Sequence, residues 1–125
     1  CNSSLTASST VDVATKFSTT TSAIAVANTD TTFAITRSAH TVSQTSGTST
    51  VATITGGVSG QHLALVFTNS GITLTDTAVA NATAGQLVLT AGLTTAAGVC
   101  LDLILMPVGV AAALVWVERS RAVNG

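Results

Sequence analysis

The residues able to do chemistry are few and dispersed. His40 and His62 are the only imidazoles, and no Cys, Asp or Glu follows either within metal-ligand spacing, so a local metal site is absent. Asp30, His40 and one of many serines can be drawn as a nucleophilic triad, but no serine lies in the Gly-x-Ser-x-Gly turn that exposes such a nucleophile. The five acids, Asp12, Asp30, Asp76, Asp102 and Glu118, are far apart and flanked by small or apolar residues, which offers no carboxylate pair for glycoside hydrolysis. Gly56-Gly57-Val58-Ser59-Gly60 is glycine-rich, yet neither a helix pattern nor a Lys follows, so it reads as a turn between strands and not as a phosphate cradle. No catalytic residue, metal or cofactor is expected.

Other polar and aromatic residues have structural readings. Cys1 and Cys100 sit at opposite ends of the chain in no ligand spacing, and Cys100 reads as a small buried hydrophobe. Asp102 lies in an apolar run, where burial would raise its pKa unless Arg119 or Arg121, from the same or another chain, pairs with it. Such an ion pair would fix strand register. Trp116 is the sole Trp and reads as a core or interface anchor, with carbohydrate stacking as the alternative. The sequons Asn2-Ser3-Ser4 and Asn81-Ala82-Thr83 matter only in a host that glycosylates them.

Composition sets the frame for these residues. The 125 residues suffice for about one domain. Charged residues make up 7%, against roughly 25% in an ordinary soluble domain. The 24 Thr and 13 Ser supply hydroxyls in place of charges. With 46% hydrophobic residues, a monomer this small would expose more apolar surface than a solitary protein tolerates, and burial against copies of itself is the simplest remedy. The net charge is −1 with only four basic residues, so no cationic stripe exists to hold nucleic acid. The first residue is Cys and not Met, which predicts a processed, trimmed or internal start.

The elements that must position these residues are strands. Residues 1–50 are Thr/Ser-rich and β-branched, with apolar patches at Val11–Val13, Ala23–Ala27 and Phe33–Ile35, and predict an extended arm with short strands. Residues 51–125 predict a β-rich oligomerisation module. Its strands are expected over Val51–Thr55, His62–Thr68, Ile72–Thr77 and Gln86–Thr90, punctuated by Gly and Asn turns. Ile72 and Leu74 alternate with Thr73 and Thr75, the period of a half-buried strand. His62–Phe67 is apolar at most positions of both faces and is expected to lie inside. Turns at this spacing predict an all-β fold of short antiparallel strands, in a sandwich, a barrel or an intertwined trimeric β-prism.

Residues 99–117 contain one charge, Asp102, and approach the length of a membrane span. Pro107 would break such a helix, Asp102 interrupts it, and the apolar residues alternate on both sides of Pro107. Val99, Leu101, Leu103 and Leu105 share one face; Val108, Val110, Ala112, Leu114 and Trp116 share another. Two strands joined near Pro107 and buried at a subunit interface fit better, and a membrane location is not expected.

The ordered stretches Ile54-Thr-Gly-Gly57, Gly60-Gln-His-Leu-Ala-Leu-Val-Phe67, Ile72-Thr-Leu-Thr-Asp76, Gln86-Leu-Val-Leu89 and Trp116-Val-Glu-Arg-Ser-Arg121 with Asn124 resemble a β-rich module of phage tail fibres, tail spikes and virion-surface decoration proteins. That module places a polar hairpin before its Trp, where this chain has the apolar Pro107–Ala113. The resemblance implies a homotrimer with a shared core and no catalytic residues. Cys1-Asn-Ser-Ser4 separately looks like the mature start of a bacterial lipoprotein.

The expectation is therefore a non-enzymatic structural protein at a virion surface or in an extracellular assembly, partnered with itself and with a virion shell or tail protein. Asp102, Leu103, Leu105, Pro107, Leu114, Trp116, Arg119 and Arg121 are its expected oligomer interface. The alternatives are a subunit of a bacterial extracellular filament or lipidated surface protein, and a module that binds host glycan.

Overall fold

β-Branched segments separated by Gly and Asn corners fold into short strands over residues 22–123, which the computed structural model describes. In chain order they are β1 (Ser22–Val26), β2 (Thr32–Ala34), β3 (Ala39–Gln44), β4 (Ser49–Val51), β5 (Thr53–Thr55), β6 (His62–Phe67), β7 (Ile72–Leu74), β8 (Leu87–Val88), β9 (Leu93–Thr94), β10 (Cys100–Met106) and β11 (Val115–Ala122). One 3-10 turn, Val110–Ala112, precedes β11. The fold is all-β, in a six-stranded sheet β1-β3-β6-β10-β11-β8, a three-stranded sheet β4-β7-β9 and the pair β2-β5.

The pairing differs from the antiparallel arrangement expected. β1 with β3, β3 with β6, β2 with β5, β4 with β7, and β11 with β8 are parallel. Only β6 with β10, β10 with β11, and β7 with β9 are antiparallel among the named strands. The physical reason lies in the turns before β10, which are corners and not hairpins: each carries the chain from one sheet to the next, so a strand meets its neighbour only after a full circuit, and β10 and β11 alone are joined within one sheet. Ser22 lies beside His40, eighteen residues on; Thr32 beside Thr53, twenty-one on; Ser49 beside Ile72, twenty-three on; Ala39 beside Ala64, twenty-five on. The circuit length varies, which hides any period in the sequence. β9 and β10 then reverse direction against β7 and β6, and end the coil.

Stacking one circuit on the next aligns inward side chains into columns. Ile24, Val42 and Phe67 form one; Val51, Leu74 and Leu93 a second; Phe33 and Ile54 a third. These belong to a single core that also holds Leu63, Leu65, Leu101, Leu103, Leu105 and Trp116. Each such side chain contributes about 1.5–3 kcal/mol by leaving water.

Side chains tie the corners of successive circuits together. Asn69 accepts the Gln44 backbone N–H at 2.8 Å and donates to the Gln44 carbonyl at 2.9 Å. One circuit lower, Asn28 accepts the Thr48 N–H at 3.1 Å.

Three local expectations change. β6 alternates: Leu63, Leu65 and Phe67 are buried while His62, Ala64 and Val66 are exposed, because none of the described residues covers the outer side of this sheet. The expected pair of strands around Pro107 is present, and β10 buries Leu101, Leu103 and Leu105 as one face. However, the alternation from Val108 to Leu114 is no strand. Ala111 and Ala112 adopt left-handed φ values of 54° and 60°, and Val108 and Val110 are exposed. No helix among the described residues is long and apolar enough to cross a membrane.

Residues 22–50 contribute β1 to β3 and most of β4, woven into the same sheets as residues 51–122. The Val11–Val13 patch, Cys1, the Asn2 sequon and Asn124 lie outside the described residues.

Candidate functional site

His40 and Asp30, the histidine and acid of the triad set aside above, both bond to nearby backbone. His40 is buried, and its Nε2 accepts the backbone N–H groups of Thr36 and Arg37, both at 3.2 Å. That leaves Nδ1 to carry the proton and donate it to the Ser22 carbonyl at 3.0 Å. Asp30 accepts the Ala27 N–H at 2.9 Å and closes its own turn. Gly56-Gly57 is the expected turn: Gly56 has φ +93°, and a Cβ there would run into the Ile35 carbonyl. A Cβ on Gly57 would lie 2.6 Å from the Trp116 ring.

Trp116 is fully buried, and its indole N–H donates to the Ile54 carbonyl at 3.1 Å. Carbohydrate stacking on its ring is excluded by that burial. Phe33 and Phe67 are buried as well, so no described aromatic offers a face to a sugar.

Of the interface residues expected from sequence, Leu103, Leu105 and Trp116 already lie in the chain's own core. Asp102, Pro107 and Arg119 are exposed, and Leu114 and Arg121 are half-buried. The ion pair drawn between Asp102 and an arginine is replaced within the chain by two other arrangements. Asp102 faces outward and accepts the Ser120 hydroxyl at 3.2 Å. Arg121 instead pairs with Glu118, its Nε donating to Oε2 at 2.8 Å and its Nη2 to Oε1 at 2.6 Å. These bonds hold the Glu118 carboxyl below the usual range, with the Thr90 backbone N–H adding to the effect and partial burial opposing it, and they raise the Arg121 guanidinium in turn.

Two surface features stand out among the described residues, one apolar and one polar. The loops 77–85 and 105–115 contain no charged residue and are joined by a Val110 N–H bond to the Ala82 carbonyl of 2.8 Å. Together they expose Val79, Val108 and Val110, each 44–46% accessible. Beside them lies a mostly apolar cavity of about 230 Å³ lined by Ile54, Gly57, Ala84, Leu105 and Leu114, among others. Glycines 56, 57 and 85 form part of its wall, and there is no room for a Cβ at Gly85, where it would meet the Thr53 side chain at 2.8 Å. This site could not be read from sequence, where loop 77–85 carries only small residues and no pattern.

The polar feature is a cleft of about 180 Å³ on the outer side of the six-stranded sheet, lined by Ser38, His62, Ala64, Asp102 and Arg119 above Leu63 and Leu103. Arg119 Nη1 donates to His62 Nδ1 at 2.9 Å. Among the described residues no three His, Cys, Asp or Glu side chains group to hold a metal.

Comparison with known proteins returned nothing: no family model matches the chain, no curated protein matches it, and no solved structure matches it.

Proposed function

We propose that this chain is a non-enzymatic structural protein that assembles with copies of itself, as a homotrimer, on the exterior of a phage-like virion, as a capsid decoration or tail-fibre module. The observation that carries the assembly is the uncharged patch of Val79, Val108 and Val110 beside the apolar cavity at Ile54, Gly57, Ala84, Leu105 and Leu114. A protruding apolar loop next to an apolar hollow lets one copy insert into the next. Such a contact joins two different surfaces, and it closes into a ring when the rotation between copies permits. The order of motifs from Ile54 to Arg121 resembles the virion-surface module and supports the choice of three copies and of location. The apolar Pro107–Ala113, at odds with the polar hairpin of that module, makes sense as the buried contact of such a trimer.

Native mass spectrometry of the purified protein tests the assembly, with a discrete trimer expected. Val110→Asp places a charge in the contact and should yield monomers that keep a β-rich circular dichroism spectrum. A monomeric wild type, or a Val110→Asp trimer as tight as wild type, would overturn the assembly. Immunogold labelling of particles tests location, and particles without label would remove the virion from the reading.

A further inference from the structure

The outer side of the six-stranded sheet is made mainly of small, hydroxyl and apolar residues: Ala23, Thr41, Val66, Cys100 and Ala122 run across five strands in one row. The polar cleft stands out against that background, and an irregularity in β11 builds it. Asp102 lies opposite Ser120, but Leu103 lies opposite Glu118, so Arg119 has no partner on β10. Such a bulge turns two successive side chains to one side and re-aims them. Arg119 and Ser120 are accordingly both exposed. Arg119 reaches over β10 to His62 on β6, while Ser120 holds Asp102.

The chemistry of the cleft is mixed. Arg119 is in no ion pair; among the described residues only Arg121 and Glu118 form one. Its partner His62 accepts at Nδ1, which puts the ring proton on Nε2 as a second donor. A cation with spare N–H groups beside an imidazole N–H suits a carboxylate. Asp102 in the same cleft repels a multiply charged anion and accepts hydroxyls. Ser38 adds a hydroxyl, contacted at 3.5 Å by the Gln61 amide, and Ala64 gives a small apolar floor, while the Leu63 and Leu103 side chains turn into the core. A ligand with one carboxylate and several hydroxyls, seated over a small apolar floor, describes an acidic sugar.

We infer that the cleft formed by Arg119, His62, Asp102 and Ser38 binds a carboxylate-bearing saccharide unit such as a uronic acid. The binding goes beyond the assembly role and shares no residue with the apolar patch and cavity. The arginine and histidine take the carboxylate, and Asp102 takes ring hydroxyls.

Titration of the native protein with D-glucuronate, D-glucose and inorganic phosphate, followed by amide chemical shifts, tests this. Saturable shifts at residues 38, 62, 64 and 102 with glucuronate are expected, with glucose and phosphate weaker. Arg119→Ala, an exposed change outside the core, should weaken glucuronate by about 10-fold or more, the worth of a charge-assisted hydrogen bond. Asp102→Asn should erode the preference for glucuronate over acetate. No saturable shift, equal binding of phosphate, or an Arg119→Ala protein that binds as wild type would each overturn the site. Because trimer mass is read separately, failure of the assembly and failure of the site remain distinguishable.

Discussion

Glu118 and Arg121 lie three positions apart on one strand and yet pair side by side, with Arg121 Nη2 at 2.6 Å from Glu118 Oε1. In a regular strand, alternation would put them on opposite faces. The unpaired Arg119 between them resets the alternation: Glu118 sits opposite the inward Leu103 and Arg121 opposite the inward Leu101. The pair then ties β11 to the segment before β9, since Glu118 accepts the Thr90 N–H at 2.9 Å and Arg121 donates to the Ala91 carbonyl at 2.7 Å.

This pair makes stability depend on pH in acid. The Glu118 pKa is lowered in the folded state, chiefly by the Arg121 hydrogen bonds, so the unfolded chain takes up that proton first as pH falls. Its contribution is full above the unfolded glutamate pKa and is lost as pH falls through the folded value. Glu118→Gln should cost about 1 kcal/mol at neutral pH and flatten the acid limb of a plot of urea midpoint against pH. Parallel wild-type and variant curves would show that the pair is not coupled to folding.

Trp116 should report and support the core. Its burial and its bond to Ile54 predict blue-shifted fluorescence that moves red on unfolding. Trp116→Ala should cost about 3–5 kcal/mol in denaturant unfolding. Trp116→Phe should cost less but leave the Ile54 carbonyl short of a donor. Red-shifted emission from the native protein would place this ring in water and contradict the packing.

The corner between the second and third circuits rests on Asn69. Asn69→Ala removes both bonds to the Gln44 backbone and should lower stability by about 1–3 kcal/mol. Asn28→Ala breaks one exposed bond and should cost less. Equal losses would argue that the corner bonds act independently of their burial.

His40→Leu puts an apolar side chain of similar breadth in place of the imidazole and strands the Thr36 and Arg37 N–H groups and the Ser22 carbonyl. About 1–3 kcal/mol is expected for each group left unpaired and cut off from water. Hydrogen exchange should quicken at Thr36 and Arg37 ahead of β6. Unchanged exchange there would mean that solvent already serves those amides.

Strand content and the membership of much of the core were legible because they are local. The period-two alternation of Leu101, Leu103 and Leu105, and of Ile72 and Leu74, reappears as buried faces. Ala23–Ala27 and Phe33–Ile35 appear as β1 and β2. Pro107 does separate two strands. β3 was missed as a strand because its inward residues are His40, Val42 and Gln44, of which two look polar. His40 bonds to the Ser22 carbonyl and Gln44 donates to the Ser46 carbonyl, while Gln44 Oε1 has no partner among the described residues. The segment 108–114 misled in the other direction, since alternating Val and Ala mimic a strand where two left-handed alanines turn the chain instead.

Residue types along this chain were enough to determine that it forms strands, that hydroxyls replace charges, and that Gly and Asn mark the turns, because each follows from a residue and its immediate neighbours. The tertiary structure alone decided that those turns are corners, that β1, β3 and β6 run parallel, and that Arg119 leaves the register to meet His62. Which strands become neighbours depends on closing circuits of unequal length around a common core. The energy of that closure is shared among residues far apart in sequence, so no local pattern records it.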